Sequence, residues 1–143
     1  MSEVVQRTKE DAQAVATSLG LVCFFPEPNE IFLDFDGIWG VRLSVMECLN
    51  NNGFQVLDKL VTKSRDGNQH DYLRIDQNIT HHERVCLQAC LGSDPVKEAL
   101  SVIRLIQDPT SASAIALFET PEWAEEVKEW RAKTGRGEHL WEL

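Results

Sequence analysis

Apolar residues recur along the chain with two periods, one typical of helices and one typical of strands. Helical spacing predicts an N-terminal helix over residues 4–19, three helices over about 41–51, 80–91 and 95–106, and a C-terminal helix over about 121–133. Strand-like runs cover about 30–36, 54–63, 70–76 and 114–118. Between the terminal helices, the predicted order is therefore strand, helix, strand, strand, helix pair, strand.

Two local signals set boundaries in this order. Thr80 and Glu83 form a capping-box pattern, which predicts that a helix begins there. Asp66-Gly67 between two strand-like runs is a hairpin signal. We therefore expect the second and third strands to pair through a tight turn.

The order predicts an α+β fold with the β-α-β-β-α-β core of ferredoxin-like or RNA-recognition-motif (RRM) domains. We expect a single domain over residues 1–143, with a core at about 30–118 and a helix flanking it at each end. In this fold the first and third strands are central neighbours, and helices cover only one face of the sheet.

Side-chain alternation divides the first and third strands into an apolar and a polar face. The apolar set is Ile31, Leu33, Phe35, Leu73 and Ile75, which we expect to meet the helices. The polar set is Phe32, Asp34, Asp36, His70, Tyr72 and Arg74. If the strands are neighbours, His70 and Arg74 lie within reach of the two aspartates. The aromatic pair would either stack bases, as in RNA-recognition motifs, or lie beneath the C-terminal helix.

Asp34 and Asp36 end an apolar run and project to the same side of a strand. Neighbouring carboxylates repel each other unless a cation lies between them, and Mg²⁺ is commonly held by one or two carboxylates and substrate phosphates. The pair therefore predicts a Mg²⁺ or Mn²⁺ site that handles phosphate. The alternative is a strand that runs out into an acidic, solvated loop.

Charge and hydropathy restrict the partners. The net charge of −9, from 23 acidic and 14 basic residues, argues against general DNA binding, since such affinity comes mainly from phosphate neutralisation by Lys and Arg. No apolar run approaches the ~20 residues of a membrane span, and residues 1–7 lack the pattern of a signal peptide. We expect a cytoplasmic protein with no membrane partner, binding a nucleotide, a nucleic acid through a local patch, or another protein.

The motif order resembles the archaeo-eukaryotic primase superfamily, in particular the small primase-polymerase domains of phages and plasmids. The acidic strand end at 33–36 is similar to that family's metal-binding pair, and 64–70 is similar to its glycine-containing hairpin with a histidine. The stretch with 92–95, 101–104 and 108–110 is similar to a later region with an acidic residue, an arginine and a turn.

The resemblance implies a metal-dependent protein that handles nucleotides or nucleic acid, either as an enzyme or as a reduced palm domain. Asp34 and Asp36 would hold the metal ions with Asp94 as a third ligand, and His70 would contact the triphosphate. Arg65 and Arg104 would be phosphate partners, and Arg74 on the polar face is a further candidate for substrate binding.

Two other hypotheses remain open. The first is a non-catalytic, acidic binding or regulatory protein of phage type on the same fold, with the Trp-rich C-terminal segment as its contact surface. The second is a phosphatase of the haloacid-dehalogenase type, because 34–37 is similar to the start of that motif. Ile38 stands where that motif requires Thr or Val, which argues against the phosphatase.

Overall fold

The computed structural model describes residues 8–35, 45–64, 66–110 and 115–135. The helices in these ranges are α1 (Lys9–Ser18), α2 (Val45–Asn51), α3 (His81–Cys90), α4 (Pro95–Gln107) and α5 (Pro121–Trp130), and a π-helical turn, Arg131–Gly135, follows α5. The strands are β1 (Val22–Phe24), β2 (Glu30–Phe35), β3 (Val56–Lys63), β4 (Gln69–Ile75) and β5 (Leu117–Glu119). The predicted α+β class is confirmed.

Two helices begin where the capping signals indicate. The Thr80 hydroxyl accepts from the Glu83 amide at 3.1 Å, and the Glu83 carboxylate accepts from the Thr80 amide at 2.8 Å. Asp94 caps α4 by accepting from the Val96 amide at 3.1 Å. These bonds satisfy amides that have no partner within a helix. They also fix the Asp94 carboxylate at the N-terminus of α4.

The main sheet has the order β2–β4–β3, and both pairings are antiparallel. The predicted hairpin joins β3 to β4, with Gly67 at φ 87° in the turn. That backbone conformation is open to glycine and costly for most other residues. In the β2–β4 register, Glu30 lies opposite Arg74 and Asp34 lies opposite His70. The prediction that the first and third strands are neighbours is confirmed.

Each face of this sheet has its own apolar cluster. On one face, the predicted apolar residues of β2 and β4 pack with Leu49 of α2, with Leu87 of α3 and with Leu91, which follows α3. On the other face, Phe32 and Tyr72 pack with Val127 and Trp130. The division into two faces is as predicted. Helices cover both faces, however, because α5 lies on the face that the fold prediction left open.

The outer edge of β2 is paired with side chains rather than with a strand. Gln88 accepts from the Phe32 amide at 2.9 Å, and Ser93 accepts from the Asp34 amide at 2.9 Å. The Asp94 amide donates to the Asp34 carbonyl at 2.6 Å. Buried peptide groups need such partners. The helix pair α3–α4 thus completes the edge and places Asp94 next to Asp34.

This arrangement corrects part of the predicted topology. β2 is an edge strand of the described sheet and β4 is central, whereas both were expected to be central. The last strand, β5, does not join β2 but pairs antiparallel with β1 in a separate two-stranded sheet. No strand was predicted over residues 22–24, where β1 lies. A full ferredoxin-like order is therefore not formed by the described strands.

No helix in the described part of the chain is long and apolar enough to cross a membrane.

Candidate functional site

A pocket of about 440 Å³ opens at the end of the polar sheet face that carries Asp34. Its charged and titratable lining is Asp34, Asp66, His70, Asp94, Lys97 and Arg104. Leu21, Leu100 and Phe118 contribute to an apolar wall. The pocket therefore combines carboxylates and cations beside an apolar surface.

Three different elements bring these side chains together. Asp34 and His70 are cross-strand partners in β2 and β4, and their side chains project to the same face. Asp94, Lys97 and Arg104 are spaced by three and seven residues on α4 and its cap, so they line one side of that helix. The hydrogen bonds at the β2 edge hold the start of α4 next to β2, although the two elements are far apart in the sequence.

His70 stands between two carboxylates. Its Nδ1 lies 2.8 Å from Oε2 of Glu119, and its Nε2 lies 3.6 Å from Oδ1 of Asp34. The first distance is that of a hydrogen bond, whereas the second is too long for one. The imidazole is only 6% exposed, so its orientation is fixed by the surrounding protein.

Glu119 is the polar centre behind the pocket. The side chain is fully buried, and its Oε2 accepts from Thr62 at 2.8 Å and from the Tyr72 hydroxyl and forms the hydrogen bond with the His70 ring. Its Oε1 is buried without a hydrogen-bond partner among the described residues. Burial, and then the charge and hydrogen bond of Glu119, raise the pKa of Tyr72 well above its ordinary value. Tyr72 is therefore a neutral hydrogen-bond donor, not a base.

Lys97 retains hydrogen-bonding capacity at the pocket. Its Nζ lies 3.7 Å from the buried Glu98 carboxylate, and it is itself buried without a hydrogen-bond partner in the described part of the chain. An ammonium group has three donors. A phosphate or carboxylate of a ligand would satisfy donors that the described residues leave unused.

The structure brings together four of the predicted site residues: Asp34, His70, Asp94 and Arg104. It does not bring Arg74 to them. The Arg74 guanidinium lies 3.4 Å from the Glu30 carboxylate and 5.0 Å from the centre of a Trp130 ring, away from the pocket lining. Asp36 and Arg65 lie outside the described residues.

Sequence reasoning missed three residues of the site. Lys97 was detectable, because it falls three residues after Asp94 and on the same helical side as Arg104. Asp66 was interpreted only as a turn residue. Glu119 gave no signal, since its role depends on β5 lying against β4, and nothing in the local pattern predicts that contact.

The described residues partly fit the expected metal. They contain no group of three or more His, Cys, Asp or Glu side chains that could hold a metal ion. The Asp34 side chain, at 18% exposure, offers a carboxylate to the pocket, and the Nε2 atom of His70 lies next to it. These two groups fit one side of a divalent ion. Phosphate oxygens and water commonly supply the remaining ligands of such ions.

Comparisons with protein-family models, with curated proteins and with solved structures find no match for this chain. The resemblance to primase-polymerases therefore stays a prediction that depends on the order of the motifs.

Proposed function

We propose that the protein is a divalent-metal-dependent, nucleotide-handling protein with a reduced primase-polymerase-like palm domain. The supporting observation is the convergence of Asp34, His70 and Asp94 with Lys97 and Arg104 in one pocket. Carboxylates suit the metal ion and cations suit the phosphates, and a nucleoside triphosphate bound with its metal presents both charges.

The pocket residues divide into two chemical sets. Asp34, with Asp36 and Asp94 as the resemblance implies, would hold Mg²⁺ or Mn²⁺. Lys97 and Arg104 would pair with phosphate oxygens. When bound, a pair of such metal ions stabilises the attacking and leaving oxygens of phosphoryl transfer. The cations on α4 would offset the charge that this reaction places on the phosphates.

The charge of the chain favours a small ligand over a long duplex. At a net charge of −9, the protein as a whole repels nucleic acid, whereas Lys97 and Arg104 provide local positive charge at the pocket. A single nucleotide or a strand end reaches the pocket without covering the acidic surface. Such a protein would act in the cytoplasm, on nucleotides of replication.

Calorimetric titration of Mn²⁺ with a non-hydrolysable nucleoside triphosphate tests the proposal. Wild-type protein is expected to bind the nucleotide only with the metal, and Asp34→Ala to lose this binding at least tenfold. Glu129→Ala, which removes an exposed carboxylate from α5, is the control and should bind like the wild type. Equal nucleotide binding with and without metal would contradict the proposal.

The second candidate is a non-catalytic binding protein on the same fold. The observation that favours it is the position of α5, which covers Phe32 and Tyr72 and so narrows the polar face to the pocket. The same titration separates the two functions. Folded wild-type protein that binds no nucleotide in the presence of Mn²⁺ would favour the non-catalytic protein.

A further inference from the structure

Among the described residues of the pocket, the clearest group without a hydrogen bond is the Nε2 atom of His70. His70 is 4% exposed and belongs to the pocket lining. Its other ring nitrogen is engaged by Glu119 at 2.8 Å. Nε2 lies 3.6 Å from the Asp34 carboxylate, which exceeds hydrogen-bond distance, and it forms no hydrogen bond within the described part of the chain.

The surroundings of Glu119 decide which ring nitrogen carries the proton. Thr62 and Tyr72 donate hydroxyl protons to the same oxygen that His70 Nδ1 approaches. A carboxylate oxygen that already accepts from two hydroxyls acts as an acceptor toward Nδ1 as well, so the imidazole proton lies on Nδ1. In the neutral ring, Nε2 then keeps its lone pair and faces the pocket.

We propose that His70 Nε2 and the Asp34 carboxylate together bind a first-row transition-metal ion, with Glu119 as the carboxylate that orients the imidazole. Metal-binding histidines almost always donate their second N–H to a carboxylate, a carbonyl or water. The inference rests on the proposed function and deepens it, because a neutral imidazole ligand favours a transition-metal ion such as Mn²⁺ over Mg²⁺, which takes oxygen ligands.

The geometry of the two atoms agrees with shared coordination. An ion bound about 2.1 Å from each of two atoms that lie 3.6 Å apart has a ligand–metal–ligand angle of roughly 118°. That angle is within the range of four- and five-coordinate transition-metal sites. A hydrogen-bonded pair would be closer, at about 2.7–3.2 Å. The separation thus leaves room for an ion between the two side chains.

The first test is calorimetric titration of each metal alone into the full chain. Mn²⁺ is expected to bind at least tenfold more tightly than Mg²⁺, and His70→Gln to remove that preference. Glu119→Gln should weaken Mn²⁺ about 10- to 100-fold, the usual effect of losing the group behind a metal-bound histidine. Glu129→Ala, which removes an exposed carboxylate from α5, is the control. It should bind Mn²⁺ within about threefold of wild type.

The second test needs only the wild-type fold. Ring-nitrogen NMR spectra, with the His70 signals identified by their loss in His70→Gln, should detect a proton on Nδ1 and none on Nε2 at pH 8. Zn²⁺ as a diamagnetic probe should shift the Nε2 signal. The inference would be overturned by a proton on Nε2, by an Nε2 signal that does not shift when Zn²⁺ is added, or by equal affinities for Mn²⁺ and Mg²⁺.

These outcomes distinguish a failure of the inference from a failure of the proposed function. If the inference fails while Mg²⁺ supports nucleotide binding as well as Mn²⁺ does, the metal-dependent nucleotide site stands without His70 as a ligand. If Zn²⁺ shifts Nε2 but no nucleotide binds with any metal, the metal site stands and the proposed function fails.

Discussion

Two acidic residues of β2, Glu30 and Asp34, lie on the same strand and the same face but in opposite surroundings. The Glu30 carboxylate is fully buried and accepts from Arg131 at 2.6 and 3.2 Å, with Arg74 at 3.4 Å. Asp34 borders the pocket, and its cross-strand neighbour His70 stays at 3.6 Å. The first position is a closed end of the sheet face and the second is an open end.

The difference teaches how one polar face can serve two purposes. At the closed end, two guanidinium groups offset the Glu30 charge, and Trp130 covers Arg74 at 5.0 Å. A buried charge needs such compensation, because desolvation is costly. At the open end, Nε2 of His70 and Nζ of Lys97 have no hydrogen-bond partner among the residues that the structure describes. Hydrogen-bonding and ligand capacity that the described residues leave unused is the property of a binding site.

The largest expected effect comes from breaking the closed end with Glu30→Gln. The change leaves Arg74 buried without its counter-charge, and removing one partner of a buried pair costs about 3–5 kcal/mol of unfolding free energy. Urea unfolding followed by circular dichroism measures it. Glu27→Gln, an exposed carboxylate three residues earlier, is the control and should change stability little. A loss below about 1 kcal/mol in Glu30→Gln would contradict a structural role.

A smaller effect is expected from the same kind of change at the open end. Asp34→Asn should alter the free energy of unfolding by less than about 1 kcal/mol, since the side chain borders the pocket and its backbone bonds persist. Comparison with Glu30→Gln in one urea series tests the contrast directly. A loss of more than about 3 kcal/mol would mean that Asp34 is as structural as Glu30.

The smallest expected effect is a pH dependence beside the closed end. Arg84 donates to the Glu30 carbonyl at 2.7 Å and to Nδ1 of His81 at 2.6 Å, and burial lowers its own pKa to about 10. Burial, and then the Arg84 charge, lower the pKa of His81 below its ordinary value. As the pH falls, His81 therefore takes up a proton in the unfolded state first, near pH 6.5. Stability should fall as the pH decreases below that point.

Urea midpoints at pH 5 and 7.5 measure this slope. His81→Gln should reduce it. His82→Gln, which removes the exposed imidazole next to it, keeps the contact with Arg84 and should retain the wild-type slope. An unchanged slope in His81→Gln would assign the pH dependence to other groups.

Much of the local structure could be predicted because its causes are local. The capping box at Thr80 and the turn at Gly67 depend on residues that are close in sequence. Alternation along β2 and β4 fixed which side chains share a face, since the side-chain period of a strand is 2. The Asp34–His70 pairing followed from that alternation and from the predicted neighbouring strands.

The order of the strands, and which polar residues line the pocket, could not be predicted from local signals. β1 is only three residues long and follows a helix without a clear signal. The pairing of β5 with β1, rather than with β2, depends on α3 and α4 covering the β2 edge. That contact joins segments about sixty residues apart, and no local pattern encodes it.

The sequence by itself determined the α+β class, the faces of β2 and β4 and the set of polar residues available to a site. Only the tertiary structure decided which of them remain available. At the closed end, α5 places Trp130 over Arg74, which is paired with Glu30. At the open end, β5 places Glu119 next to His70. The physical reason is that local periodicity sets where a side chain points, whereas burial and long-range partners set whether its charge is already neutralised.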